Sequence, residues 1–223
     1  MMSSSPPSHA RPSHCLTTPR LILRSGIPSD AKAVCIVRSE PQNNPHGGVH
    51  EPDLSAEVQA QRIEAQKDST AEGRNAWMQI ILKPELADHV VDDLVVEDGV
   101  LIGMTGFNSF PKETLGDKEV LVGDTGAMID YRYARMGYAL EAMEAVFEYG
   151  FNELGCDMLS LDTFAVNVPW RRLMRTMGLE CVEQVKKLGD GEGPLGEEVG
   201  YKFDNNKWDE GKKGLRGAGK WYL

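Results

Sequence analysis

The sequence predicts an α+β fold built on one mixed sheet, and three observations carry that expectation. Short apolar or alternating runs recur between turn-forming clusters from Arg20 to Phe203, the pattern of strands. One long amphipathic segment, Gly137 to about Leu154, has Ala139, Ala142, Met143, Val146, Phe147, Gly150 and Phe151 at steps of three and four. It follows one strand-like run directly and leads into another, so a strand, helix and strand unit lies at the centre of the chain.

The elements follow in order. The Ser- and Pro-rich residues 1–14 have no periodicity and read as a disordered lead-in. Arg20 to Arg24 alternates polar and apolar, a strand burying Leu21 and Leu23. After Pro28, Ser29 and Asp30 are placed to cap a helix carrying Ala31, Val34 and Cys35 on one face. Residues 43–53, NNPHGGVHEPD, have loop composition, and Ser55 then opens a second helix to about Ala71. Trp77 to Leu82 and Val100 to Phe107 read as strands, with Leu94 to Val96 as the hairpin partner of the latter across the turn Glu97, Asp98, Gly99. Val120 to Asp130 reads as a strand bulged at Gly123 and Gly126. Met158 to Val166 is the next strand, and Pro169 and Gly178 bracket a helix bearing Leu173, Met174 and Met177. Cys181 to Val185 and Val199 to Phe203 are short strands around a glycine-rich connection, and the residues beyond Trp208 are basic, glycine-rich and unpatterned.

Composition narrows the class. A 223-residue chain with 41% hydrophobic and 26% charged residues is globular, and it lacks both a membrane-length apolar run and the apolar core of a secretory signal, so a cytoplasmic location is expected. The four cysteines are widely spaced, which suggests neither a disulfide framework nor a zinc knuckle, and no metal-ligand spacing is present. A net charge of -10 argues against a nucleic-acid surface and favours amine-bearing partners.

Residues 128–142, MIDYRYARMGYALEA, hold the strongest chemical signal. A strand, a turn with Arg132 and Arg135, and Gly137 opening a helix bring together free backbone N–H groups, a positive helix end and two guanidinium groups, a set suited to a diphosphate. The alternative from the same residues is that Gly137 permits close packing and the arginines are solvated.

From Leu16 to Trp208 the chain resembles the GNAT superfamily of acyl-CoA-dependent N-acetyltransferases, in particular the ribosomal-protein alanine acetyltransferase branch. The resemblance rests on LTTPRLILR at 16–24, Asp30 with Ala31, LIGMTGF at 101–107, GYALEA at 137–142, EYGFNELG at 148–155 and NVPWRRLMRTMGL at 167–179, in that order. It implies a mostly antiparallel central sheet splayed at its middle with helices on both faces, a single domain over 15–208 and a tail over 209–223. It also implies acetyl-CoA as co-substrate, an amine acceptor and direct acetyl transfer. The diphosphate would lie on Arg132, Arg135, Met136, Gly137, Tyr138 and Ala139, with the pantetheine arm along Met128, Ile129 and Asp130 and with Asn167 close by. Arg135 stands where the family pattern has its first glycine, and a non-glycine is expected to keep an ordinary backbone conformation there. The thioester carbonyl would be polarised by an N–H near Met128 or Ile129.

Candidate bases are Asp124 and Asp130, while Glu141 is either a core hydrogen-bonding residue or a substrate contact. The family's proton donors for the thiolate fall on Trp170 and Met174, which cannot donate; Tyr138, with Tyr131 and Tyr133, is the available replacement. Trp170 is either a wall of the acceptor pocket or a packing residue, Asn167 either a cofactor contact or a cap, and His46 and His50 lie in the loop that would shape the acceptor pocket. A polyamine, an amine metabolite and a protein N-terminus all fit as acceptor. The alternative class is a GNAT-fold CoA-binding protein without acetyltransferase activity, motivated by Arg135, Trp170 and Met174. The tail is open to three roles: disordered extension, homodimer contact or lid.

Overall fold

The structure is a computed structural model that describes residues 7–43, 45, 54–86, 90–187 and 196–223. Its chain order is β1 (Cys15–Thr17), β2 (Leu21–Arg24), α1 (Ala31–Ser39), α2 (Ala56–Ala71), β3 (Ala76–Leu82), β4 (Val95–Val96), β5 (Gly99–Ser109), β6 (Lys112–Leu115), β7 (Lys118–Ile129), α3 (Tyr138–Asn152), β8 (Met158–Phe164), α4 (Val168–Thr176), β9 (Glu183–Lys187), β10 (Glu197–Asp204) and α5 (Asn205–Gly217). The strands form one sheet in the order β1-β2-β3-β5-β7-β8-β10-β9, with β4 added to β5 and β6 to β7. Every pairing is antiparallel except that of β7 with β8, which the crossover through α3 makes parallel.

Two layers of helix cover the sheet. Thr105 Oγ1 of β5 meets Met143 Sδ of α3 at 3.8 Å, so that sheet face lies against α3. Phe147 of α3 packs edge-on with Phe203 of β10 and Trp208 of α5, placing α5 beside α3 on the same face. Residues of α1 and α2 sit over the opposite face of β3, β5 and β7. Ser55 caps α2 by accepting the Val58 N–H, as the sequence predicts. Asp30 does not cap α1; its buried carboxylate accepts the Ile27 N–H and pairs with Arg24 at 2.7 Å.

Several expectations are corrected. Residues 7–14 pack rather than lead in loosely: Ser8 Oγ donates to Leu154 O at 2.7 Å and His14 Nδ1 lies 2.8 Å from the Tyr149 hydroxyl. Burial and the Arg11 charge push the His14 imidazole down to about 4, so it is neutral at physiological pH. The chain beyond Trp208 is not an unpatterned tail, because Trp208, Gly211 and Leu215 form the buried stripe of α5. Strand β7 is continuous through Gly123 and Gly126; the irregularity sits opposite, between Phe107 and Ser109 of β5. The close approach at Gly123 serves packing instead, since a Cβ there would meet the Phe107 ring at 2.8 Å. Among the described residues no helix is long and apolar enough to cross a membrane.

After α5 the chain folds back over α3, where the Tyr222 N–H donates to Glu144 Oε2 at 2.9 Å. Burial, with Glu141 and Glu148 nearby, outweighs that hydrogen bond and pushes the fully buried Glu144 carboxyl up to about 7. A carboxyl raised in the folded state favours the protonated protein, so stability falls as pH rises from the ordinary carboxylate range through about 7. Glu144→Gln should therefore stabilise the protein at pH 8 by on the order of 3 kcal/mol and by much less at pH 5. Urea unfolding at the two pH values checks this, and an equal change at both would contradict it.

Candidate active site

The site begins where the sheet opens. Strands β7 and β8 are paired only from Val122 to Asp124 and from Met158 to Ser160, after which they part. The edge of β7 from Thr125 to Ile129 therefore faces a gap. The Asp130 N–H donates to Ile102 O at 2.7 Å, so alternation commits the main-chain polar groups of Gly126 and Met128 to β5. The same alternation turns those of Ala127 and Ile129 into the gap. Of the two N–H groups expected to serve the thioester, Ile129 is available and Met128 is not.

At the end of β7 the loop is held from below. Asp130 is fully buried and caps the turn over 131–133, accepting the Arg132 N–H at 3.1 Å, Arg132 Nε at 2.7 Å, Arg132 Nη2 at 2.8 Å and Asn43 Nδ2 at 2.9 Å. Burial alone would raise the Asp130 carboxyl, but these donors outweigh it and hold it below the usual carboxylate range. Asp130 is thus a structural anchor rather than a base, and Arg132 is its partner.

Arg135 departs from the expected ordinary conformation. Its φ is 66°, the left-handed value that a glycine adopts without strain, so the loop keeps its tight path despite the side chain. The Arg135 side chain is exposed and makes no hydrogen bond or ion pair among the described residues. Gly137 follows at φ 84° as the N-cap of α3. A Cβ at Gly137 would run into the Tyr222 hydroxyl and come within 3.2 Å of Arg20 Nη2, so the surface of the helix end is shaped to a bare backbone.

Arg20 supports this end of the helix. Its guanidinium lies between the Tyr138 and Tyr222 rings, 4.5 and 4.6 Å from their centres, and Nη1 donates to Met136 O at 3.0 Å. Nε is 2.5 Å from Glu141 Oε2. Glu141 is fully buried and also accepts the Thr18 hydroxyl at 2.6 Å and the Arg20 N–H at 2.8 Å. The substrate-contact reading of Glu141 is therefore replaced by the core reading. These features fit a diphosphate: first-turn N–H groups of α3, two left-handed residues and an unengaged guanidinium converge on one loop.

On the α1 and α2 side of the same strand lies a cleft of about 350 Å³, bounded by Arg38, Gln59, Trp77, Gln79 and Met104 and by Gly126 to Met128. Gln79, Met104 and Met128 are successive cross-strand partners and share this face; so do Trp77, Gly106 and Gly126. Asp124, two residues before Gly126, belongs to the same face at the point where the gap opens. Burial, reinforced by Asp162, raises its carboxyl above the ordinary range against a lowering hydrogen bond from Asn108.

Other expected residues fall elsewhere. Tyr138 is at the far end of the open edge from Asp124, beyond ~20 Å of extended strand up to Asp130, and its ring is stacked on Arg20. The Tyr133 hydroxyl accepts the Val91 N–H, and Tyr131 lies beside the Arg132 guanidinium. Asn167 caps α4, accepting the Trp170 N–H at 3.3 Å and donating to Thr163 Oγ1 at 2.9 Å. Met174 is fully buried and Trp170 packs half-buried against the core. His46 and His50 lie outside the described residues. Arg20 and Tyr222 at the start of α3 and Gln59 and Gln79 in the cleft are candidates that the sequence does not single out, and only Arg20 had a local signal, as a charged residue entering a strand.

The acetyltransferase (GNAT) domain family matches residues 20–180. Solved structures with the same fold include RimJ of Mycobacterium smegmatis in complex with CoA-disulfide, at TM-score 0.69 and 15% identity over 96% of this chain and 99% of that one. FdhC, a nucleotide-linked sugar GNAT in its apo form, gives TM-score 0.65 and 18% identity over 94% and 99%. The ribosomal-protein-S5-alanine acetyltransferase of Vibrio fischeri gives 0.66 and 12% over 87% and 98%. At these identities the likeness is one of fold. No curated protein matches the sequence.

Proposed function

Because the chain belongs to the acetyltransferase (GNAT) domain family, we propose that it transfers acetyl from acetyl-CoA to the primary amine of a small molecule or a protein N-terminus. The observation that carries this reading is the open edge of β7, which starts at a raised carboxyl, Asp124, and ends at the left-handed loop through Arg135 and Gly137. Acetyl-CoA supplies an activated thioester.

The chain's own residues divide the remaining work. The main chain of Ala127 and Ile129 pairs with an extended ligand arm as a strand edge does. The N–H groups at Met136, Gly137, Tyr138 and Ala139, with the Arg135 guanidinium, hold the diphosphate. Asp124 removes the proton of the incoming ammonium, for which a carboxyl raised above its ordinary range is a stronger base. Met174 and Trp170 offer no proton, so the thiolate takes its proton from solvent.

Titration calorimetry with acetyl-CoA tests the cofactor half. Arg135→Gly removes the guanidinium while keeping a residue that adopts φ 66° freely. It should weaken acetyl-CoA by about 1 to 3 kcal/mol, the scale of a charge-assisted hydrogen bond. Absence of acetyl-CoA binding to the wild type would contradict the reading.

A further inference from the structure

Arg135 adopts a backbone conformation that is unfavourable for any residue with a Cβ, and such strain persists only where the surroundings fix the chain on both sides. Upstream, Asp130 fixes the turn over 131–133. Downstream, the chain has no side-chain cap of its own, because the N-cap of α3 is Gly137. Residues 136 and 137 are met instead by two segments distant in sequence.

One is Arg20, whose Nη1 donates to Met136 O at 3.0 Å. The other is the segment after α5, which leaves that helix through the left-handed Gly219 (φ 65°), with the Lys220 N–H bonded to Leu215 O at 2.9 Å, and then reaches α3. Trp221 is seated 5.0 Å from the Arg216 guanidinium and 6.0 Å from the Trp208 ring, and the Tyr222 N–H is fastened to the buried Glu144. The Tyr222 ring thereby lies on the Arg20 guanidinium, 4.6 Å from its centre, while Tyr138 stacks on the same guanidinium at 4.5 Å. The Tyr222 hydroxyl rests against Gly137, where a Cβ would collide with it. The family match stops at residue 180, so these contacts come from a part of the chain beyond it.

We propose that Tyr222 is a positioning residue: the C-terminal segment clamps the strained loop, through Arg20 and Gly137, in the shape that receives the diphosphate of the acyl-CoA. This rests on the reading of that loop as the diphosphate site. With Tyr222 in place the loop stands in its binding shape before the ligand arrives. Without it, Arg20 loses one stacking face, Met136 O is held less firmly, and Arg135 relaxes toward an ordinary φ, which re-aims the Met136 N–H. Affinity then falls in proportion to the molecules whose loop still has the binding shape.

The test combines amide hydrogen exchange of the ligand-free protein with calorimetric titration of CoA. Tyr222→Leu should speed exchange over residues 134–138, leave β3 and β5 as slow as in wild type, and weaken CoA about 3- to 20-fold, the scale of one partly buried cation–π contact. Tyr222→Phe keeps the ring on Arg20 and should stay within about threefold of wild type. In an Arg135→Gly background a left-handed φ carries no strain, so adding Tyr222→Leu there should weaken CoA by no more than about twofold. Unchanged exchange over 134–138 in Tyr222→Leu, unchanged CoA affinity, or an equal loss of affinity in both backgrounds would overturn the proposal. So would a Tyr222→Phe protein as weak as Tyr222→Leu, since the hydroxyl itself would then be the contact. Absence of CoA binding to the wild type would sink the diphosphate reading and with it the purpose assigned to the clamp, whereas the exchange result reports on the clamp by itself.

Discussion

Asp124→Asn should lower kcat by about 10²- to 10⁴-fold, the usual contribution of a positioned general base, while acetyl-CoA affinity stays within a factor of two or so. The substitution keeps the side chain's shape and its place at the opening between β7 and β8. It removes only the proton acceptor. The wild-type rate should rise with pH through a value above the ordinary carboxylate range, because burial raises the Asp124 carboxyl and only its ionised form accepts a proton. The sign for stability is opposite to that for activity. A raised carboxyl disfavours the folded state once it ionises, so stability declines as pH rises through its folded pKa, and the amide variant should be no less stable at pH 8. Steady-state rates with thermal melts on the same samples separate the two effects; a kcat within threefold of wild type would remove Asp124 from the mechanism.

Glu141→Ala should be the most destabilising single change near the site. It strips the partner from Arg20 Nε, the Arg20 N–H and the Thr18 hydroxyl at once, in a position with no solvent exposure. Breaking a buried ion pair from one side costs about 3 to 5 kcal/mol, because the remaining charge stays desolvated. For a chain of this size that corresponds to a fall in melting temperature of roughly 6 to 20 °C. Acetyl-CoA affinity should fall as well, since Arg20 also holds Met136 O and stacks on Tyr138 beneath the loop proposed to hold the diphosphate. A melting temperature within 2 °C of wild type would show that the pair contributes little and that Arg20 finds other support.

The elements that organise the site were legible because each rests on local pattern. The stripe of α3, the opening of that helix at Gly137 after a strand and the Pro169 to Gly178 bracket around α4 all follow from residue spacing and backbone preference. Strand β6 escaped notice because all four of its residues are exposed and no alternation marks it. Helix α5 escaped because glycines 211, 214 and 217 argue against a helix, and only the packing of Trp208 on Phe147 overrides them. The strain at Arg135 could not be read from an arginine, since the surrounding loop imposes it. Long-range partnerships were invisible for the same reason: nothing in the sequence around Glu141 reports Arg20, which lies 121 residues away, and nothing around Gln59 reports Gln79 across the cleft.

The most direct measurement of the central claim is thiol release from acetyl-CoA by the wild-type protein as a function of added primary amine, with recovery of the acetyl group on the amine nitrogen. The account predicts saturable, amine-dependent release that disappears in Asp124→Asn. Acetyl-CoA binding without release for any primary amine, or release by Asp124→Asn at the wild-type rate, would contradict it.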